Sequence, residues 1–258
     1  MCELFGASFN KQAGIQFAFT NFRERGRTNP DGWGLAWYPD DKSSQIIKEA
    51  KPAAESPMSK FLTTQNTLKS KIFISHVRIA TGTPHVHSNT HPFGRIYNRR
   101  DFVFAHNGSL SGFENLELSG YYPLGDTDSE YAFCFLLGFI REAQIKTWNL
   151  NRFETLKRKL QKINEHGKFN CIFSDGEYLF CYHTNSERAP TLRYVRREFP
   201  FNNIRYKDSE QEILLEDLKD ESHKGYIIST KVLSEGEDWR DFEAGQLIVF
   251  KKGEIVFS

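Results

Sequence analysis

The sequence predicts an α+β fold of antiparallel sheets with helices packed on them, in one domain. Three observations lead to that reading. Apolar runs of strand character open the chain, two helical patterns follow, and strands return towards the end. The turn signals "SDG" (174–176) and "KKG" (251–253) join neighbouring apolar runs as hairpins. No repeat, low-complexity tract or linker divides the 258 residues, a length that supports a sizeable core.

The elements follow in order. "CELFGASF" (2–9) reads as a strand at the start of the chain. In "GIQFAFTNFRERG" (14–26), Ile15, Phe19 and Phe22 fall at helical spacing and Gly26 is the stop. "GLAWY" (34–38) and "SQIIKEA" (44–50) form two strands around the turn "PDDKS". "SPMSKFLTT" (56–64) is a short helix with Ser56 as N-cap and Pro57 at its first position. "KIFISHV" (71–77) and "FVFAH" (102–106) are central strands covered on both faces, and the polar stretch 78–100 between them is a long loop. "DTDSEYAFCFLLGFIREAQ" (126–144) is a buried helix capped by Asp126 or Asp128. A second helix over 149–167 buries a stripe of Leu150, Phe153, Leu156, Leu160 and Ile163, with Gly167 as its end. Strands then run through "FNCIFSDG", "EYLFCYHT", "GYIIST", "QLIVFKKG" and "EIVF".

Bulk properties exclude several functions. Lys plus Arg number 34 against 33 Asp plus Glu, so no polyanion or nucleic-acid partner is expected. The pairs Arg99-Arg100 and Arg196-Arg197 read as solvated loop charges. "FCFLLGFI" (133–140) is too short to cross a bilayer and no basic, apolar leader opens the chain, so a soluble cytoplasmic protein is expected. Of four cysteines, Cys134, Cys171 and Cys181 read as core residues without metal-type spacing. The histidines His76, His85, His87 and His91 lack a familiar ligand interval, so no metal or cofactor is expected, and His91 reads as a hydrogen-bonded loop residue.

Four stretches can carry chemistry: Cys2, "HVRIATG" (76–82), "AHNGSL" (105–110) and "GDTDSE" (125–130). A small residue at position 2 permits removal of Met1. Cys2 would then carry both a thiol and a free α-amine, whose pKa of about 7.7–8.0 lets it accept the thiol proton near neutrality. The alternative is a core cysteine in the first strand. Asn-Gly is first a turn signal. At the mouth of a strand, however, Asn107 offers a side-chain N–H and Gly108 a closely approachable backbone N–H, the pair an oxyanion needs. Arg78 at a strand end can fork onto a carboxylate, or make a surface salt bridge. Of Asp126 and Asp128, one caps the helix and the other can hold an ammonium group.

In order along the chain, "MCELFGAS", "NPDGWGLAWY", "SHVRIAT", "NTHPF", "AHNGSL", "GDTDSE" and "STKVL…W…GQL" resemble the class II glutamine amidotransferases, members of the N-terminal-nucleophile hydrolases. The likeness is greatest to their small stand-alone bacterial members of the YafJ type and spans nearly the whole chain. It implies a four-layer αββα sandwich and a single amidotransferase domain over 2–258. It implies attack by Cys2 on the glutamine side-chain amide, a γ-glutamyl thioester, and release of ammonia and glutamate. By position, Asn107 and Gly108 match the oxyanion hole, Arg78 the α-carboxylate site, Asp128 the α-amine site and Thr81 a residue beside the carboxylate. Asp31 matches a structural aspartate near the nucleophile, and Arg25 or Arg27 an arginine that orients the terminus. Synthase members carry Trp and His where this chain has Ile79 and Gly82, in the segment over the substrate. No ammonia-using domain lies in the chain, so the resemblance implies a separate acceptor protein, or release to water. A γ-glutamyl peptide or conjugate is the alternative substrate. A non-catalytic partner-binding subunit is the alternative function, against which the retained nucleophile and oxyanion hole speak.

Overall fold

Side chains alternate along a strand, and the first strand uses that alternation to serve two cores at once. In β1 (Glu3–Gly14), Phe5, Ala7 and Phe9 enter one apolar cluster while Leu4 enters another. A strand buried on both faces needs cover on both sides, and the fold supplies it in layers.

The computed structural model describes residues 2–14, 16–64, 68–80, 82–186, 191–199, 204–206, 212–213 and 220–258. After β1 come α1 (Gln16–Glu24), β2 (Gly32–Trp37), β3 (Gln45–Glu49), α2 (Pro57–Thr64) and β4 (Lys69–Arg78). The middle of the chain forms β5 (Phe93–Tyr97), β6 (Arg100–Leu110), α3 (Asp128–Glu142), α4 (Leu150–Asn164), β7 (Gly167–Ser174) and β8 (Tyr178–Tyr182). The remainder gives β9 (Arg193–Glu198), β10 (Ile204–Tyr206), β11 (Glu212–Ile213), β12 (Lys224–Ser229), β13 (Ser234–Glu235), β14 (Arg240–Asp241), β15 (Leu247–Lys251) and β16 (Glu254–Phe257).

One large sheet has the order β14-β9-β12-β1-β4-β2-β3 and the second β16-β15-β8-β7-β6-β5, while β11-β10-β13 form a small third sheet. Every pairing within them is antiparallel. Three apolar clusters separate the layers. The first sheet packs on α1 and α2 through Phe5, Phe19, Phe22, Trp33 and Leu62. The second packs on α3 and α4 through Phe104, Phe133, Leu136, Leu156 and Phe169. Between the sheets lie Leu4, Ile74, Ala105, Ile172 and Ile228. This is the expected αββα sandwich.

Several local expectations are corrected. The stretch 78–100 is not all loop: Phe93–Tyr97 pairs with β6 as a hairpin whose turn residues, Asn98 and Arg99, have positive φ. The α3 cap is Thr127, whose hydroxyl accepts the Glu130 N–H, and neither aspartate takes that position. In α4, Phe153, Leu156, Leu160 and Ile163 are buried, but Leu150 is exposed. Arg196 and Arg197 lie within β9 rather than in a loop, and Arg197 is buried against Glu237 at 2.8 Å. Ser56 does cap α2, accepting the Ser59 N–H at 3.0 Å.

Phe104 is fully buried and stacks on Phe133 with ring centroids 5.0 Å apart. Replacing it with alanine is expected to cost about 3–5 kcal/mol in chemical denaturation. Leu150→Ala, on the exposed side of α4, is expected to stay within about 0.5 kcal/mol.

Candidate active site

The ends of three central strands converge where β1 begins. Cys2 precedes Glu3, which pairs with Val77 on β4. The Cys2 thiol donates to the Ile79 carbonyl at 3.2 Å, and the Ile79 N–H lies 3.2 Å from the same sulfur as donor. From the other sheet, the Asn107 side-chain amide donates to the Cys2 carbonyl at 2.5 Å. Cys2 is therefore held by both sheets at their shared edge.

Gly108 follows Asn107, with its backbone exposed. An ideal Cβ there would stand 1.8 Å from the Lys168 carbonyl oxygen and 2.6 Å from His106 Nε2. Glycine is required here by the neighbouring strand, whatever else its backbone does. The Asn-Gly pair is not a turn, because Asn107 and Gly108 continue the β6–β7 ladder opposite Asn170 and Phe169.

Arg78 ends β4 with its side chain buried. Its guanidinium donates to Thr83 Oγ1 at 2.6 Å and, at 3.5 Å, to the Asp31 carbonyl. Asp31 secures the segment that follows: its N–H donates to the Arg78 carbonyl at 3.0 Å and its carboxylate accepts the Ala80 N–H at 2.7 Å. Thr81 lies outside the described residues. Gly82 has a φ of 82°, which favours glycine and gives this position a backbone reason for its identity.

Asp128 opens α3 behind the Asn-Gly strand. Its carboxylate accepts the Leu110 and Ser129 N–H groups, each at 2.7 Å. Asp126 is exposed and bonds Asn89 instead. Of the two aspartates, Asp128 is thus the one tied to the strand that carries Asn107 and Gly108.

Of Arg25 and Arg27, it is Arg25 that reaches the start of β1. Its buried guanidinium pairs with the buried carboxylate of Glu3, and also donates to the Val232 carbonyl at 3.1 Å. Lys231 reaches the other Glu3 oxygen at 2.5 Å. Arg27 is exposed and pairs with Glu24. The sequence reading missed Glu3, Lys231, Thr83 and Ser129. The one signal for Glu3 was a charge inside an otherwise apolar strand.

Burial pushes the Cys2 thiol above its ordinary range, opposed by the Ile79 N–H and the nearby Arg78 charge. Burial likewise lowers Arg78, opposed by Cys2 and Asp31. His76 and His91 are buried together with ring centroids 4.2 Å apart. Burial first, then the neighbouring His106 and Arg78, lowers His76 to about 3. His91 is not the hydrogen-bonded loop residue expected: neither ring nitrogen meets a hydrogen-bond partner among the described residues. No group of three His, Cys, Asp or Glu side chains suited to a metal occurs among the described residues. No helix there is long and apolar enough to cross a membrane.

Comparison with known proteins follows the same lines. The family model "Glutamine amidotransferases class-II" matches residues 1–258. An uncharacterised protein of Methanocaldococcus jannaschii is 43% identical over 258 residues, covering 100% of this chain and 71% of that protein. YafJ of Escherichia coli, which carries a glutamine amidotransferase name, is 33% identical over 261 residues, 99% of this chain and 100% of its own. The crystal structure of a predicted glutamine amidotransferase from Pseudomonas aeruginosa superposes with a TM-score of 0.74 at 28% identity, covering 100% of both chains. The glutamine phosphoribosylpyrophosphate amidotransferase of Bacillus subtilis shares the fold, with a TM-score of 0.65 at 17% identity over 98% of this chain and 48% of its own.

Removing Arg25 leaves the buried Glu3 carboxylate with only the solvent-exposed Lys231 as counter-charge, so Arg25→Ala is expected to destabilise the protein by up to about 3–5 kcal/mol. Arg27→Ala is expected to stay within about 0.5 kcal/mol in the same denaturation experiment. The buried histidines set an acid limit. Below an ordinary histidine value of about 6.5 the unfolded chain binds protons that folded His76 refuses until about 3. Stability therefore falls as pH drops through that window. Denaturation at pH 7.5 and pH 5 is expected to differ less for His76→Gln than for the parent protein.

Proposed function

The chain belongs to the class II glutamine amidotransferases, a family of enzymes, and we propose that it hydrolyses the glutamine side-chain amide with Cys2 as nucleophile, residues 2–258 acting as one amidotransferase domain. The observation that carries this reading is the joint hold on Cys2. Its sulfur rests on the Ile79 backbone and its carbonyl on the Asn107 amide, with Gly108 next in the strand.

Removal of Met1 places a free amine on the residue that holds the thiol. That amine takes the thiol proton, directly or through one water, as sulfur attacks the γ-carbonyl carbon. The resulting oxyanion accepts hydrogen bonds from the Asn107 side chain and the Gly108 N–H. An amide nitrogen carries two N–H donors, of which the Cys2 carbonyl takes one. Collapse breaks the C–N bond, the ammonium at the terminus returns a proton, and ammonia leaves. Water, deprotonated by the same amine, then cleaves the thioester to release glutamate and restore the thiol. Arg78 exchanges Thr83 for the substrate α-carboxylate. Asp128 keeps lone pairs for the α-ammonium beyond the two backbone N–H groups it already accepts. Thr81, by its place in the family motif, stands beside the carboxylate.

A second substrate class, the γ-glutamyl conjugates, is favoured by one feature. A cavity of about 810 Å³ opens beside β1, lined by Glu3, Arg25, Arg27, Thr28, Arg193 and Lys231. It lies on the β12–β9 flank of β1, whereas Arg78 lies on the β4 flank. Cys2 itself does not line this cavity, but its neighbour Glu3 does, and the space far exceeds what ammonia needs. For glutamine itself, the freed ammonia passes to a separate acceptor protein or to water.

Trimmed protein exposed to 6-diazo-5-oxo-norleucine is expected to gain one covalent adduct on Cys2 by mass spectrometry. Cys2→Ala is expected to lose at least about 10³-fold in glutamate release, and Arg78→Ala to raise KM more than it lowers kcat. Comparing glutamine with γ-glutamyl dipeptides separates the two substrate classes. Full activity of Cys2→Ala overturns the reading.

A further inference from the structure

On the face of β6 away from Cys2, His106 is buried between β7 and the first turn of α3. Its Nε2 lies 3.1 Å from the Lys168 carbonyl oxygen, and its Nδ1 2.8 Å from Ser129 Oγ. A carbonyl only accepts, so Nε2 carries the proton and donates. Nδ1 is then the acceptor, filled by the Ser129 hydroxyl. Both ring nitrogens are occupied on the side opposite the sulfur, and the imidazole has no path to act as a base for Cys2.

The same contacts bracket Asn107 and Gly108. One residue before the pair, His106 is tied to Ser129. Two residues after Gly108, the Leu110 N–H is tied to the Asp128 carboxylate. Asp128 also accepts the Ser129 N–H, so both ties end on adjacent residues of one helix turn. The Lys168 carbonyl held by His106 is the atom that a Cβ at position 108 would strike. His106 therefore adds a side-chain tie to the β7 carbonyl that lies nearest the Gly108 backbone.

We propose that His106 is a positioning residue for the oxyanion donors, clamping Asn107 and Gly108 to α3 through Ser129 and Asp128. This inference rests on the Cys2 amidohydrolase reading. The clamp ends on the carboxylate expected to receive the substrate α-ammonium, so substrate recognition and donor placement share one anchor. Its signature is a loss confined to the charged intermediate. Ground-state binding through Arg78 is left in place.

The test uses the trimmed full-length protein, with glutamine as substrate and the γ-aldehyde of glutamate as probe. The Cys2 thiol adds to that aldehyde, its proton passing to the hemithioacetal oxygen, which then sits where the oxyanion forms. For His106→Leu, kcat is expected to fall about 10²-fold or more, the scale of losing one oxyanion donor. KM is expected to change less than about threefold, and aldehyde affinity to fall in parallel with kcat. His106→Gln, which keeps an N–H for the Lys168 carbonyl, is expected to recover about tenfold of the loss. A risen KM with unchanged kcat, or a fallen kcat with unchanged aldehyde affinity, overturns the proposal. If His106→Leu does not fold, Ser129→Ala decides by the same two ratios. Absence of glutamate release by the parent protein would count against the amidohydrolase reading itself, whereas an active parent with an indifferent His106 series removes only the clamp.

Discussion

A charge sealed inside the first sheet fixes the position of the chain's first described residues. Glu3 is almost wholly buried one residue beyond Cys2, and its two oxygens meet Arg25 and Lys231. A carboxylate removed from water without partners costs several kcal/mol, so this residue has one workable position. On the next residue, the Leu4 N–H donates to the Thr230 hydroxyl and the Leu4 carbonyl accepts the Thr230 N–H, holding the strand just past the end of β12. Strand ends normally fray. Here the first described residues are pinned by ionic, backbone and side-chain contacts from three directions, as the proposed nucleophile at Cys2 requires.

Close approach of backbones makes the pinning possible. An ideal Cβ on Gly34 would lie 2.2 Å from the His91 carbonyl oxygen, so the "NTHPF" segment lies directly on β2. That contact seats His91 against His76, one side-chain step behind Arg78 on the same face of β4. The glycine at 108 does the equivalent work between β6 and β7. Sequence motifs that look like a list of catalytic parts are thus partly packing instructions. They bring neighbouring backbones near enough for a side chain of one element to reach the backbone of another.

Much of this was legible beforehand because the signals are local. The period of two in "CELFGASF" and the apolar girth of "YAFCFLLGFI" specify a doubly covered strand and a buried helix without further information. Hairpins at 174–176 and 251–253 follow from their glycines. What was not legible depended on neighbours distant in sequence. β9 reads "RYVRRE", and its charges disguise a strand whose Arg197 is buried against Glu237. Arg25 and Arg27 are indistinguishable by type, and only the fold turns one towards Glu3. Thr127 outcompetes two aspartates as a cap because Asp128 is drawn to the Leu110 N–H. Asn107-Gly108 carries the strongest turn signal in the chain, yet a partner strand holds it extended.

The topology gives the proposed reaction a direction. β1 lies inside its sheet, with β4 on one side and β12 on the other. The groups proposed to hold an amino acid by its charged end, Arg78 and Asp128, lie towards β4 and the adjoining α3 turn. Towards β12 lies open space bordered by Arg25, Arg193 and Lys231. On the proposed reading, the acyl side of an amide over the Cys2 sulfur is held by Arg78 and Asp128, and its nitrogen lies towards the β12 side of β1. On that reading, changes on the β12–β9 flank would act on the leaving group without touching Arg78 or Asp128, because the two sets of residues lie on opposite sides of β1.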